Sequence, residues 1–186
     1  MVRALLAGAK TQTRRALRFP EDAARNRFGR PGDLLWVRET FFAYGRWDIR
    51  FNLRKQHAEW FFTDMTQAAG YAWRYAADDG QGADPHARRE AGAAPAWHKR
   101  PALFMPRAAS RILLEIVGVR VERLQEIGVA DALAEGLPPG AEDDPVGAYR
   151  GVWEGINGPG SWEANPLVWV VAFAQIPLAG RPSRNI

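Results

Sequence analysis

The sequence predicts an α+β fold dominated by β structure, with short flanking helices and an irregular insertion. Three observations carry this. The chain has 186 residues, 47% of them hydrophobic, with eight Trp, nine Phe and four Tyr, enough bulky material for one core and too little length for two ordinary domains. Residues 112–124 read as a long strand, and the continuous apolar run over residues 167–173 matches no amphipathic helix. The helical patterns are short, and glycine closes two of them.

Residues 2–7 read as a short helix ended by Gly8 in a left-handed cap. The run from Lys10 to Arg15 follows, its alternating Thr and Gln suiting extended backbone. Lys10, Gln12 and Arg14 then share one face, and Thr11, Thr13 and Arg15 the other. Pro31-Gly32-Asp33 is a turn that launches a strand over residues 34–38.

Residues 41–100 mix aromatics with charges, and residues 76–96 are rich in Ala, Gly and Asp, which reads as an irregular insertion with a flexible tip. The strand over residues 112–124 contains Gly118, which marks a bulge or sharp bend of the kind that helps a sheet curl into a barrel. Residues 129–135 form a short helix closed by Gly136. Residues 145–156 form another, with Val146, Tyr149, Trp153 and Ile156 on one face. Residues 167–173 are a buried strand. One domain over residues 1–176 with a loose tail at 177–186 results.

Composition excludes several chemistries. With no cysteine there is no disulfide or thiolate site, and three scattered histidines make a metal centre an unsuitable reading, so neither metal nor cofactor is expected. No apolar stretch approaches the roughly 20 residues needed to cross a bilayer, and the N-terminus lacks a signal-peptide pattern, so no membrane partner and a cytoplasmic location are expected. The net charge of +4 and pI near 9.8 are compatible with a polyanionic partner. Only Lys10, Lys55 and Lys99 among 25 basic residues are lysines. A desolvated lysine can lose its proton and act as a base, which arginine cannot.

The blocks LLAGAKTQTRR (5–15), GDLLWVRET (32–40), MPRAASRILLEIVGVRVERLQEI (105–127), DALAEG (131–136) and GSWEANPLVWVVAF (160–173), taken in order, resemble the ASCH domain family, and most closely its longer phage- and prophage-associated members. They cover the two ends of the chain and leave its middle unmatched. The resemblance implies a small PUA-like β-barrel that recognises RNA or a modified nucleoside. One subgroup removes the acetyl group from the exocyclic amine of acetylated cytidine, and other members are linked to RNA cleavage. The chain departs from the family in three ways: Met1 aligns with an internal position, leaving no counterpart of the first barrel strand, and Phe104 and Ala108 replace a common polar and a common aromatic residue.

Carried over by residue, the subgroup's Gly-x-Lys-x-x-Thr element falls on Gly8, Lys10 and Thr13, and its helix glutamate on Glu135. Acyl transfer needs a nucleophile, a base and oxyanion donors. Thr13 suits the first role and a neutral Lys10 amine the second, provided desolvation or the neighbouring Arg14 and Arg15 lowers its pKa toward the working pH. Glu135 lies in the last turn of its helix, where the dipole disfavours a carboxylate unless a cation meets it; the resemblance makes that cation Lys10. Arg14, Arg38, Arg107 and Arg111 are candidate phosphate or base-edge contacts, and Trp36 a candidate stacking face. Gly8 and Glu39 complete the candidate substrate-binding set. His98 is given no role, Trp153 and Trp169 are read as core, and Trp162 as a rim aromatic or a plug. Four readings stay open: an amidohydrolase, a non-catalytic RNA-binding module, a ribonuclease, and a decayed or truncated relative with neither activity. Both catalytic readings require Lys10 and Glu135 in one cleft.

Overall fold

The structure, a computed structural model, describes residues 1–19, 21, 26–78, 83–84 and 87–177. The expected loose tail, apart from Pro177, lies outside the described residues. Two compact units form: Met1–Val37 with Arg111–Ile186, and Arg38–Ser110.

The first unit is built on a four-stranded antiparallel half-barrel sheet. Its strands are β1 (Gln12–Ala16), β2 (Leu34–Trp36), β7 (Leu113–Arg123) and β8 (Leu167–Ile176), in the order β1-β8-β7-β2. Among the described residues three α-helices accompany it: α1 (Val2–Leu6), α2 (Val129–Ala134) and α3 (Pro145–Asn157). Central β8 is buried on both faces, which is why its sequence is apolar without alternation. Val168 and Val170 join Leu124, Ile127, Ala132, Tyr149, Trp153 and Trp162 on the α2 and α3 side. Val171 and Phe173 join Leu5, Ile112, Leu114 and Ile116 on the other. Trp162 is thus core, as are Trp153 and Trp169.

The bulge expected at Gly118 falls between Ile116 and Gly118 in the pairing of β7 with β8. An extra residue reverses which side chains face which way. Before the bulge Leu114 and Ile116 enter the second cluster; after it Val119 does so. Arg120 and Glu122 are thereby turned to the face that carries Arg14, since Arg14 and Arg120 both pair with Val170.

Helix α3 starts where Asp144 accepts a hydrogen bond from Gly147 N at 2.9 Å, with Pro145 in the first turn, a standard N-terminal signal. Tyr149 and Trp153 are buried as expected, but Ile156 is 69% exposed. Ile156, on the same helix face, lies in the last turn and lines a cavity.

In the second unit the expected irregular insertion is corrected. Residues 41–100 carry β3 (Phe41–Asn52), β4 (His57–Asp64), β5 (Arg74–Tyr75) and β6 (Ala96–Arg100), and β3 pairs with each of the other three. The β3–β4 register puts Trp47 opposite Phe62 and Ile49 opposite Trp60. Charges are interleaved with rings because guanidinium groups lie over them: Arg100 over Trp47 and Phe62, and Arg89 over Trp47 and Trp60, a favourable cation–π arrangement. Gly45 is required by close approach, since a Cβ there would fall 2.1 Å from the Thr63 carbonyl oxygen.

Candidate functional site

The site begins at the start of the chain. α1 ends at Leu6 with Ala7 as its C-cap, and Gly8 takes φ +71°, so the backbone reverses there and runs out as Lys10 and β1. The burial alternation follows the expected faces, with Lys10, Gln12 and Arg14 buried and Thr11 and Arg15 exposed. β1 is an edge strand whose pairing with β8 leaves its other edge toward a cavity of about 600 Å³.

That cavity is lined by Lys10, Thr13, Arg14 and Arg15 from the first segment, Glu135 to Pro139 after α2, and Tyr149, Val152, Trp153 and Ile156 from α3, with α1 contributing Arg3 and Ala4. A largely apolar wall with a few converging polar groups is the usual make-up of a small-molecule site.

Lys10 and Glu135 come together. Lys10 Nζ donates to Glu135 Oε2 at 2.8 Å and to the Glu135 carbonyl oxygen at 2.7 Å. Glu135 is the C-cap of α2, so the ammonium satisfies an orphan helix carbonyl and offsets the negative end of the dipole in one place. Arg14 Nη1 reaches the other carboxylate oxygen, Oε1, at 3.3 Å. The remaining Arg14 contacts are Nη2 to Glu122 Oε1 at 2.6 Å and to Asp131 Oδ2 at 2.7 Å. Its side chain is 0% exposed. The guanidinium expected to meet a phosphate is instead held by three carboxylates, and it fixes Glu135 against Lys10.

Burial lowers the Lys10 pKa from its ordinary value; Glu135 pulls it back up, and the nearby charges of Arg15 and Arg14 push it down again, leaving it below normal. Burial, with the Glu135 carboxylate nearby, raises the Tyr149 pKa, so the phenol stays protonated. No hydrogen bond engages the Tyr149 hydroxyl among the described residues, and Tyr149 lines the cavity. Thr13 is half-buried on the cavity wall.

The other expected residues are elsewhere. Gly8 serves the turn after α1 and does not line the cavity. Trp36 and Arg111, both half-buried, belong to the first unit but not to the cavity wall. Arg38, Glu39 and Arg107 belong to the second unit. There Arg38 Nη1 donates to the Leu103 carbonyl at 3.2 Å, Glu39 is buried and Arg107 is exposed. His98 is buried beside Trp47 and Phe62.

Sequence reasoning missed four contributors. Tyr149 has no role in the sequence reading beyond its place on a helix face, although a phenol on an apolar helix face was the available signal. Glu122 and Asp131 acquire their part only through the bulge and the packing of α2. Arg15 lowers the Lys10 pKa as the sequence suggests, but its place on the cavity wall is not readable from an exposed strand position. Among the described residues no group of three or more His, Cys, Asp or Glu side chains is placed to hold a metal ion. No helix among them is long and apolar enough to cross a membrane.

Fold and site together define a β-rich α+β protein with a ligand-sized cavity, floored by a buried lysine–glutamate pair. No family model, curated protein or solved structure matches the chain.

Proposed function

We propose that the chain is an ASCH-type, PUA-like domain whose cavity binds a modified nucleoside and hydrolyses an acyl-amide substituent on it, such as the acetyl group of acetylated cytidine. The observation that carries this reading is the Lys10–Glu135 contact of 2.8 Å on the wall of a cavity that Thr13 also lines. A volume of about 600 Å³ suits one nucleoside, and the exposed side chains of Val152 and Ile156 on the wall offer apolar surface to a base.

In this reading the neutral fraction of Lys10 takes the proton of the Thr13 hydroxyl as Oγ1 adds to the acyl carbonyl. The Tyr149 hydroxyl donates to the developing oxyanion. Collapse of the tetrahedral adduct breaks the C–N bond, and the Lys10 ammonium returns its proton to the departing exocyclic amine. Water then adds to the acyl-threonine with Lys10 again as base, releasing acetate and restoring Thr13. Glu135 and Arg14 keep the amine aimed and do not exchange protons with the substrate.

Purified protein incubated with N4-acetylcytidine is expected to release cytidine and acetate, separated by chromatography. Lys10→Ala and Thr13→Ala, checked for native folding by circular dichroism, should each abolish release. No release by the unmodified protein would overturn the hydrolytic reading.

A further inference from the structure

We propose that the cavity takes its ligand as a nucleoside monophosphate, with Arg15 as the phosphate contact. This rests on the nucleoside reading above and narrows it from a neutral to an anionic substrate.

Lys10, Arg14 and Arg120 are matched against Glu135, Glu122 and Asp131 in one connected set of ion pairs, so the inner polar cluster is balanced. Arg15 stands outside it. β1 turns its side chain to the face opposite Arg14, and it is exposed. Arg15 has no ion pair among the described residues, and Glu135, already matched, is the one carboxylate among those lining the cavity. The mouth therefore presents uncompensated positive charge to whatever enters, and a guanidinium fork fits phosphate oxygens in pairs.

Strand register adds a second donor set. Phe173 N donates to Thr11 O, and Leu17 N donates to Leu167 O, so the odd residues of β1 point their backbone groups at β8. Alternation then turns the N–H and C=O of Arg14 and Ala16 to the unpaired edge, and both residues line the cavity. Backbone amides beside a guanidinium form a common anion cradle. Thr13 lies on the same strand face as Arg15, about 7 Å along. A phosphate held at Arg15 leaves the sugar passing Thr13 and the base lying toward Lys10.

The test is calorimetric titration of N4-acetylcytidine and of its 5′-monophosphate into the intact protein, at low and at raised ionic strength, for the native chain and for Arg15→Gln. The monophosphate is expected to bind about tenfold tighter than the nucleoside, with the ratio shrinking as salt rises. In Arg15→Gln the ratio should fall to about twofold. If the nucleoside binds and the phosphate adds nothing, or adds as much in Arg15→Gln, the phosphate inference is overturned while the nucleoside reading survives. If neither compound binds the folded protein, the nucleoside reading itself fails and this inference with it.

Discussion

Gly136 lies so close to Lys10 that a Cβ on the glycine would sit 2.6 Å from the Lys10 Cβ and 2.9 Å from the Ala4 Cβ. The glycine also takes φ +73°, which closes α2 and aims the Glu135 carbonyl at the lysine. Gly136→Ala therefore meets both backbone strain and a clash with rigid atoms. Gly140→Ala, at φ +88° with nothing within 4 Å, meets the strain alone. Gly136→Ala should lower stability by more than about 1 kcal/mol beyond Gly140→Ala in urea unfolding, and should weaken ligand binding where Gly140→Ala does not. Equal effects would mean that the close approach has no energetic consequence.

The two ends of the buried pair should not be equivalent. Lys10→Met leaves Glu135 with Arg14 at 3.3 Å, so the loss is about 1.5 to 3 kcal/mol, the range for a hydrogen bond to a charged group. Glu135→Leu strips a partner from Lys10 and from Arg14 together, and should cost about 3 to 5 kcal/mol. The double variant Lys10→Met with Glu135→Leu should be no less stable than Glu135→Leu alone, because the buried ammonium is gone too. Urea midpoints for the three variants check the order, and a Lys10→Met cost matching that of Glu135→Leu would contradict it.

What was legible in the chain and what was not separate along physical lines. The alternation of Lys10, Gln12 and Arg14 with Thr11 and Arg15 was readable because an extended segment has period two whatever it packs against. The Gly118 bulge was readable as a glycine inside a β run. Its consequence was not, since turning Glu122 toward Arg14 depends on which residue is extra and on the register with β8. The strand stretch Trp47-Asp48-Ile49-Arg50-Phe51-Asn52 does alternate, yet guanidinium groups stacked on its rings disguised an apolar face as mixed composition. The Lys10–Glu135 encounter spans 125 positions, a separation at which spacing says nothing; the family resemblance supplied it.

Asp131 ties the cluster to pH. Burial alone would raise its pKa, but the hydrogen bond from Arg14 and the charges of Arg120 and Arg14 outweigh this and hold the carboxyl below its ordinary value. A group depressed in the folded state contributes stability above its unfolded pKa, and that contribution vanishes as pH falls through the folded pKa. Asp131→Asn should therefore be less stable than the native chain near neutrality. With the Asp131 side chain 32% exposed, the difference should be about 1 kcal/mol. The gap should close in strong acid, where the native carboxyl is protonated too. Paired urea curves near neutrality and in acid measure it; a gap independent of pH would point to packing rather than charge.

In the proposed hydrolysis, the opposed charges around Lys10 set the pH dependence of turnover. Only its neutral form can take the Thr13 proton, so kcat/KM should rise with pH through the Lys10 pKa, with a midpoint below that of a free lysine. The shift has identified contributors: burial lowers the pKa first, Glu135 raises it, and Arg15 and Arg14 lower it. Removing a raising partner and removing a lowering one must move the rising limb in opposite directions. Glu135→Gln should bring the midpoint to lower pH, even where it reduces the plateau by misaligning the amine. Arg15→Gln should bring it to higher pH. A rate profile for deacetylation of N4-acetylcytidine across neutral and alkaline pH reads both midpoints in one assay. If the two variants shift in the same direction, or neither shifts, Lys10 is not the group whose ionisation controls the reaction.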